Sequence, residues 1–266
     1  MNDFTPGTPP PGIDHDDHLL AAWAAETAGA LLVDVRGRGL EGKELKDAGD
    51  RAAHELLMDL LAQHRPDDAV LSEEGKDDKV RLGADRVWIV DPLDGTREFS
   101  EPPRDDWAVH VALWSRETGD LVAGAVAQPG LDTTFSTAEP ATVPDPTAPR
   151  WRIAVSRTRP PAFVEALAAE IGADLVPMGS AGAKVISVVR DVTDAYVHAG
   201  GQYEWDSAAP VAVARAAGLH TSRADGAVLA YNQDDVLLPD LLVCRPELAD
   251  RIAEFVQRYW AESSEG

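Results

Sequence analysis

The residues best placed to do chemistry lie in Val87-Trp88-Ile89-Val90-Asp91-Pro92-Leu93-Asp94-Gly95-Thr96. An apolar β-type run ends at Asp91, where a side chain would emerge from a sheet edge. Pro92 and Gly95 force a tight turn that brings Asp94 close to Asp91. After Gly95 the chain can enter a helix, which leaves the backbone N–H groups of Gly95 and Thr96 facing an anion. Two carboxylates for a cation beside two amides for a phosphate form the arrangement that metal-assisted phosphate chemistry needs. The plainer alternative is that Asp91 and Asp94 only cap a turn and a helix.

Two further segments carry acids at similar places. Ser72-Glu73-Glu74-Gly75 follows a β-type run, so its acids sit on a loop at a strand end. In so acidic a chain, the same pair is also ordinary solvated surface. Glu204-Trp205-Asp206-Ser207-Ala208-Ala209 puts Asp206 where a helix begins, followed by small residues that allow close packing. A simple N-cap accounts equally well for Asp206 alone.

The elements that must position these acids follow from hydrophobic spacing. Leu19, Leu20, Trp23, Ala24, Leu31 and Val35 predict a helix over 15–36, and Leu56, Leu57, Leu60 and Leu61 a second over 44–64, ending before Pro66. Short β-type runs follow at 69–72, 87–91, 107–114 and 121–127. The Pro-rich stretch 139–150 reads as a linker between an N-terminal α+β half, 14–138, and a C-terminal α/β half, 151–266. In the second half, strands are expected at 152–156, 193–198 and 241–244, and helices at 162–171, 183–189, 206–217 and 247–260. Residues 1–13 read as a disordered tail.

Composition narrows the partners. The 266 residues include 46 acids and 24 bases, a net charge of −22. A nucleic-acid polymer is therefore not expected as a partner, because its phosphates would be repelled. An anionic small molecule can still bind where divalent cations mediate. No apolar run approaches the roughly 20 residues that span a bilayer, so no membrane partner is expected. The polar, Pro-rich N-terminus has no signal-peptide pattern. A single cysteine, Cys244, excludes an internal disulfide and fits a reducing cytoplasm.

Taken together, Glu73-Glu74, Trp88 to Thr96 with its Asp-Pro-Leu-Asp-Gly-Thr core, and Trp205-Asp206-Ser207-Ala208-Ala209 resemble the inositol monophosphatase-like phosphatases. The likeness runs from about Leu19 to Trp260. It implies a layered α/β/α/β/α fold and a lithium-sensitive phosphomonoesterase needing two or three magnesium ions. It further implies that Glu73, Asp91 and the Leu93 carbonyl hold one ion, with Glu73 also serving catalysis, and that Asp91, Asp94 and Asp206 hold another. Thr96 should pair with an upstream aspartate, best matched by Asp50, to activate water, and the family is often homodimeric. Gly95, Thr96, Arg97, Ser180 and Lys184 are the expected substrate contacts.

Three features lean toward a bisphosphate nucleotide. Arg97-Glu98-Phe99 follows the motif as in family members acting on 3'-phosphoadenosine 5'-phosphate. Gly179-Ser180-Ala181-Gly182-Ala183-Lys184 places a lysine at a helix start, where it can serve a second phosphate or stay a surface residue. After Asp194-Ala195-Tyr196 come Val197-His198-Ala199-Gly200-Gly201, without the acid that inositol enzymes usually carry there. The alternatives are the same chemistry on inositol 1-phosphate or fructose 1,6-bisphosphate, or a non-catalytic nucleotide- or metal-sensing module. The complete acid set argues against the module. His15-Asp16-Asp17-His18 reads as a solvated helix start, and Arg104-Asp105-Asp106-Trp107 either borders the site or forms an ion pair beside a packed tryptophan.

Overall fold

The computed structural model describes residues 4–146, 149–158 and 160–264. The first three residues of the expected tail, positions 147 and 148 of the expected linker and the last two residues lie outside them. Two helices, α1 (Asp17–Arg36) and α2 (Gly42–His64), come first. Five strands follow: β1 (Ala69–Ser72), β2 (Arg86–Asp94), β3 (Ala108–Ser115), β4 (Asp120–Gln128) and β5 (Thr133–Ser136). They pair in sequence order, with β1 parallel to β2 and the rest antiparallel. A single turn of helix, α3 (Thr96–Phe99), interrupts them directly after β2.

The second half contributes β6 (Trp151–Ser156), α4 (Ala162–Ile171), β7 (Ala173–Met178), α5 (Ala181–Val189), β8 (Ala195–Tyr203), α6 (Glu204–Ala216), β9 (His220–Ser222), β10 (Leu237–Cys244) and α7 (Ala249–Ser264). Its sheet has the order β7-β6-β8-β10-β9.

Burial explains the layering. Trp88, Val90, Val109, Val111 and Leu113 point to one face of the first sheet and pack against α1 and α2. Their alternates Val87, Ile89, Ala108 and Ala112 point to the other face. There they share a cluster with α5, α6 and the inner residues Ala154, Tyr196, Leu241 and Val243 of the second sheet. The outer face of that sheet packs Ile153, Val155, Val197 and Leu242 against α4 and α7. Both sheets are thus covered on both sides, which is why their strands read as nearly continuous apolar runs. The order is α/β/α/β/α, as the resemblance implies.

Within the expected tail, Phe4 packs against the first cluster and Ile13 is buried. Within the expected linker, Ala141 and Val143 pack against the middle cluster, and the Pro144 carbonyl accepts from Arg245. Helix α1 is the one described helix long and apolar enough to cross a bilayer by length and composition. The sequence reading found no such run. Its Leu20, Ala24, Ala28, Leu31, Leu32 and Val35 are spent in the first cluster.

Candidate metal and phosphate site

The site lies where β2 ends. Because side chains alternate along a strand, Asp91 shares the face of Val87 and Ile89, toward α5 and α6. The β2–β3 register then slips between Asp91 and Asp94, so the turn swings Asp94 onto the same side. Gly95 adopts φ 82°, a left-handed conformation that suits glycine, and starts α3. The parallel register of β1 on β2 aligns Ser72 with Val90. The next residue, Glu73, donates its amide to the Val90 carbonyl at 3.3 Å, which holds it beside Asp91.

Asp206 comes from the far side of the middle layer. It sits in the first turn of α6, where its Oδ2 accepts the Tyr203 N–H at 2.6 Å. The N-cap is Tyr203, and Asp206 is the third helical residue, its carboxylate closing a capping box rather than acting as the N-cap itself. Asp91, Asp94 and Asp206 bring one oxygen each within 4.8 Å of one another. Glu73 lies outside that triad and shares a hydrogen bond with Asp91.

Electrostatics follow from crowding acids together, with Asp91 and Asp94 buried, Asp206 half-buried and Glu73 at the exposed edge. Burial, with added repulsion from Asp206 and Asp94, pushes Glu73 up to about 7 against its hydrogen bond with Asp91. Burial and then Glu73 and Asp94 hold Asp91 well above the usual carboxylate range. Burial and Asp94 raise Asp206 to about 6. Asp94 behaves oppositely: burial alone would raise it, but His110, Ser180 and Lys184 outweigh this and hold it at about 2. A divalent cation among these oxygens would relieve the repulsion, and an all-oxygen donor set suits a hard ion.

The Thr96 hydroxyl lies 3.3 Å from Asp50 Oδ1 and 3.2 Å from the Leu93 carbonyl. One hydroxyl hydrogen serves one acceptor at a time. Burial and the nearby Glu74 push Asp50 up to about 6. Lys184 is buried, and its ammonium is turned back into its own loop, donating to the Ser180 carbonyl at 2.6 Å and to Gly179 at 3.3 Å. It also lies 5.2 Å above the Tyr196 ring. The Ser180 hydroxyl donates to Asp94. Arg97 is half exposed and pairs with Glu101 at 3.1 Å, away from the residues that line the cavity.

That cavity, about 520 Å³, opens from Asp94, Gly95 and Asp206. Its other wall is Lys184, His198, Gly200, Gly201 and Tyr203. Asp106 pairs with Arg104 and accepts the Gly179 N–H at 2.6 Å, so the Arg104 segment supports the loop that borders the site. Asp16 caps α1 and Asp17 pairs with Arg65 and Arg86, so the His15 segment is structural. Cys244 is buried in β10 with its thiol pushed up by burial.

Two neighbours of the site, Glu98, read from sequence only as part of Arg97-Glu98-Phe99, and His110, not singled out there, have partners that only the fold supplies. Buried Glu98 binds Arg157 at 2.7 Å beneath the Gly179 loop. His110 on β3 faces Asp94 Oδ2 at 3.2 Å. The available signal was a histidine inside the apolar run Trp107 to Trp114, on the same face as Ala108 and Ala112.

The layered fold thus brings an acid triad able to hold a divalent cation to the mouth of a cavity. The chain belongs to the inositol monophosphatase family, whose pattern matches residues 20–261. It is 51% identical over 245 residues to a 3'-phosphoadenosine 5'-phosphate phosphatase of Mycobacterium tuberculosis, covering 88% of this chain and 90% of that protein. It is 34% identical over 202 residues to the 3'(2'),5'-bisphosphate nucleotidase CysQ of Escherichia coli, covering 72% and 81%. The crystal structure of CysQ from Bacteroides thetaiotaomicron superposes with TM-score 0.73 at 27% identity, covering 86% of this chain and 97% of that one.

Proposed function

We propose that this protein is a magnesium-dependent phosphatase that removes the 3'-phosphate of 3'-phosphoadenosine 5'-phosphate, giving AMP and phosphate. The observation that carries this reading is the convergence of Asp91, Asp94 and Asp206 within 4.8 Å at the mouth of a cavity whose far wall is glycine, aromatic and lysine rather than acid. Such a wall suits a nucleoside carrying a second phosphate better than a polyol whose hydroxyls need acceptors. The identity to the mycobacterial relative supports the same substrate.

Glu73, Asp91, the Leu93 carbonyl, Asp94 and Asp206 would hold two or three magnesium ions, which would supply an acidified water and charge neutralisation at the phosphate. The protein's own residues do the rest. Asp50, raised to about 6, can draw a proton from the attacking water through the Thr96 hydroxyl. The Gly95 and Thr96 amides at the start of α3 receive the phosphate oxygens. The water oxygen bonds to phosphorus, the bond to the 3'-oxygen breaks, and that oxygen takes up a proton. Lys184, at the cavity wall, serves the 5'-phosphate, with Ser180 shaping its loop, and Arg97 would have to leave Glu101 to reach the substrate. The resemblance implies a homodimer, and the single cysteine fits a reducing cytoplasm.

The test is phosphate release from 3'-phosphoadenosine 5'-phosphate, inositol 1-phosphate and fructose 1,6-bisphosphate, with magnesium, with and without lithium. The expected result is a preference of about a hundredfold for the nucleotide, ~2.7 kcal/mol in transition-state binding, abolished by chelation and reduced by lithium. A preference for inositol or sugar phosphate would keep the metal site and overturn the substrate.

A further inference from the structure

His110 lies across from Asp91 in the β2–β3 ladder and is fully buried. Its ring bridges two elements that carry cation-binding carboxylates. Nε2 faces Asp94 Oδ2 at 3.2 Å, and Nδ1 lies 3.0 Å from the Trp205 carbonyl oxygen. A carbonyl only accepts, so Nδ1 carries the hydrogen of that contact. The Trp205 carbonyl belongs to the peptide that leads into Asp206.

A third element closes over the ring. Gly182, in the first turn of α5, sits so near that a Cβ there would lie 2.0 Å from Nε2. Its N–H donates to Asp94 Oδ2 at 2.6 Å. Asp94 Oδ2 therefore meets the Ser180 hydroxyl, the Gly182 amide and His110. Oδ1 takes the Ala181 N–H at 3.1 Å and keeps lone-pair capacity for a cation.

We propose that His110 is a positioning residue. By clamping the β2 turn to the first turn of α6, it holds Asp94 and Asp206 at the spacing that one shared divalent cation needs. This rests on the reading of those carboxylates as magnesium ligands. His110 touches neither the Thr96–Asp50 pair nor the phosphate-facing amides, so its loss should weaken cation binding more than the chemical step. Partners that orient ligands in this way typically govern metal affinity by about 10–100-fold.

The test compares the parent protein with His110→Asn and His110→Gln, all stripped of metal. Magnesium affinity is measured by calorimetry, alongside the magnesium dependence of phosphate release. Asn cannot reach both partners, so His110→Asn should weaken magnesium binding about tenfold or more and raise half-saturation in step. At saturating magnesium its kcat should stay within a fewfold of the parent. Gln, longer, should recover part of the affinity. A folded His110→Asn with parental magnesium affinity would overturn the inference, as would a fall in kcat with affinity unchanged.

Should both variants fail to fold, the parent protein still decides. Its slowest-exchanging imidazole N–H, expected from His110, the one histidine fully buried among the described residues, should shift in nitrogen NMR as magnesium is added. No shift at saturating magnesium would overturn the proposal. If the parent binds no magnesium at all, the ligand reading itself fails instead.

Discussion

Two groups of acids among the described residues are built on opposite terms. In the second sheet, Asp191 and Asp194 meet two guanidinium groups. Arg152 bonds Asp194 at 2.9 Å and Asp191 at 2.6 Å, and Arg245 repeats both contacts at the same distances. Burial would raise Asp191, but hydrogen bonds from Arg152 and Arg245 outweigh it and lower the carboxyl. Charge is balanced, and the cluster joins β6, the turn before β8 and the end of β10. In the site, the cations that act on Asp94 and Asp206 are, among the described residues, His110 and Lys184, and three of the four acids Glu73, Asp91, Asp94 and Asp206 are pushed upward. Acids placed to stabilise the fold come with their counter-charge. Acids left short of one are placed for something that arrives later.

Breaking each cluster should therefore give opposite results. Asp91→Asn should lower phosphate release about a thousandfold or more, ~4 kcal/mol in the barrier, while the metal-free protein melts no lower than the parent because repulsion is relieved. Near-parental turnover would remove Asp91 from the ligand set, and a large drop in melting temperature would make the two clusters alike.

Arg245→Met should do the reverse. It leaves Asp194 short of a partner and should cost about 3 kcal/mol, read as a fall of roughly 6–12 °C in Tm. Turnover per folded molecule should stay near the parent's. An unchanged melting curve would mean that Arg152 alone balances both acids.

The smallest effect should come from pH. Glu73 at about 7 and Asp206 at about 6 lie above the values of about 4.3 and 3.9 expected in an unfolded chain. A folded value raised in this way contributes stability below the unfolded value and loses it as pH rises through the folded one. Metal-free protein should thus lose stability between about pH 4 and 7. Magnesium should restore more of it at pH 8 than at pH 5, because the ion competes with protons. Metal-free melting that is flat with pH would mean that the site acids are no more crowded than the paired cluster.

How much was legible follows from how local each feature is. Asp91, Asp94, Gly95 and Thr96 were readable because one turn places them. Glu73 needed only the next strand in register. Strands β5, β7 and β9 were not singled out, since β7 is partly exposed and contains Pro177, and β9 has three residues. Lys184 was readable as a lysine at a helix start, but not that its ammonium folds back onto Ser180. Arg97 was readable beside the motif, but not that it turns to Glu101. His110 had a signal in its apolar strand and no partner visible in sequence, because Asp94 and Trp205 lie on other elements.

The sequence by itself determined most helices and strands and the turn that carries Asp91 and Asp94, because apolar period and turn chemistry act over a few residues. The layering was implied by the family resemblance. Only the tertiary structure decided which acids meet. Asp206 reaches Asp91 because α6 packs between the two sheets, and Asp94 keeps its charge because β3, α5 and the Ser180 loop close around it. The contacts from α6 and from the Ser180 loop join residues 86 or more positions apart, and packing rather than local propensity brings them together.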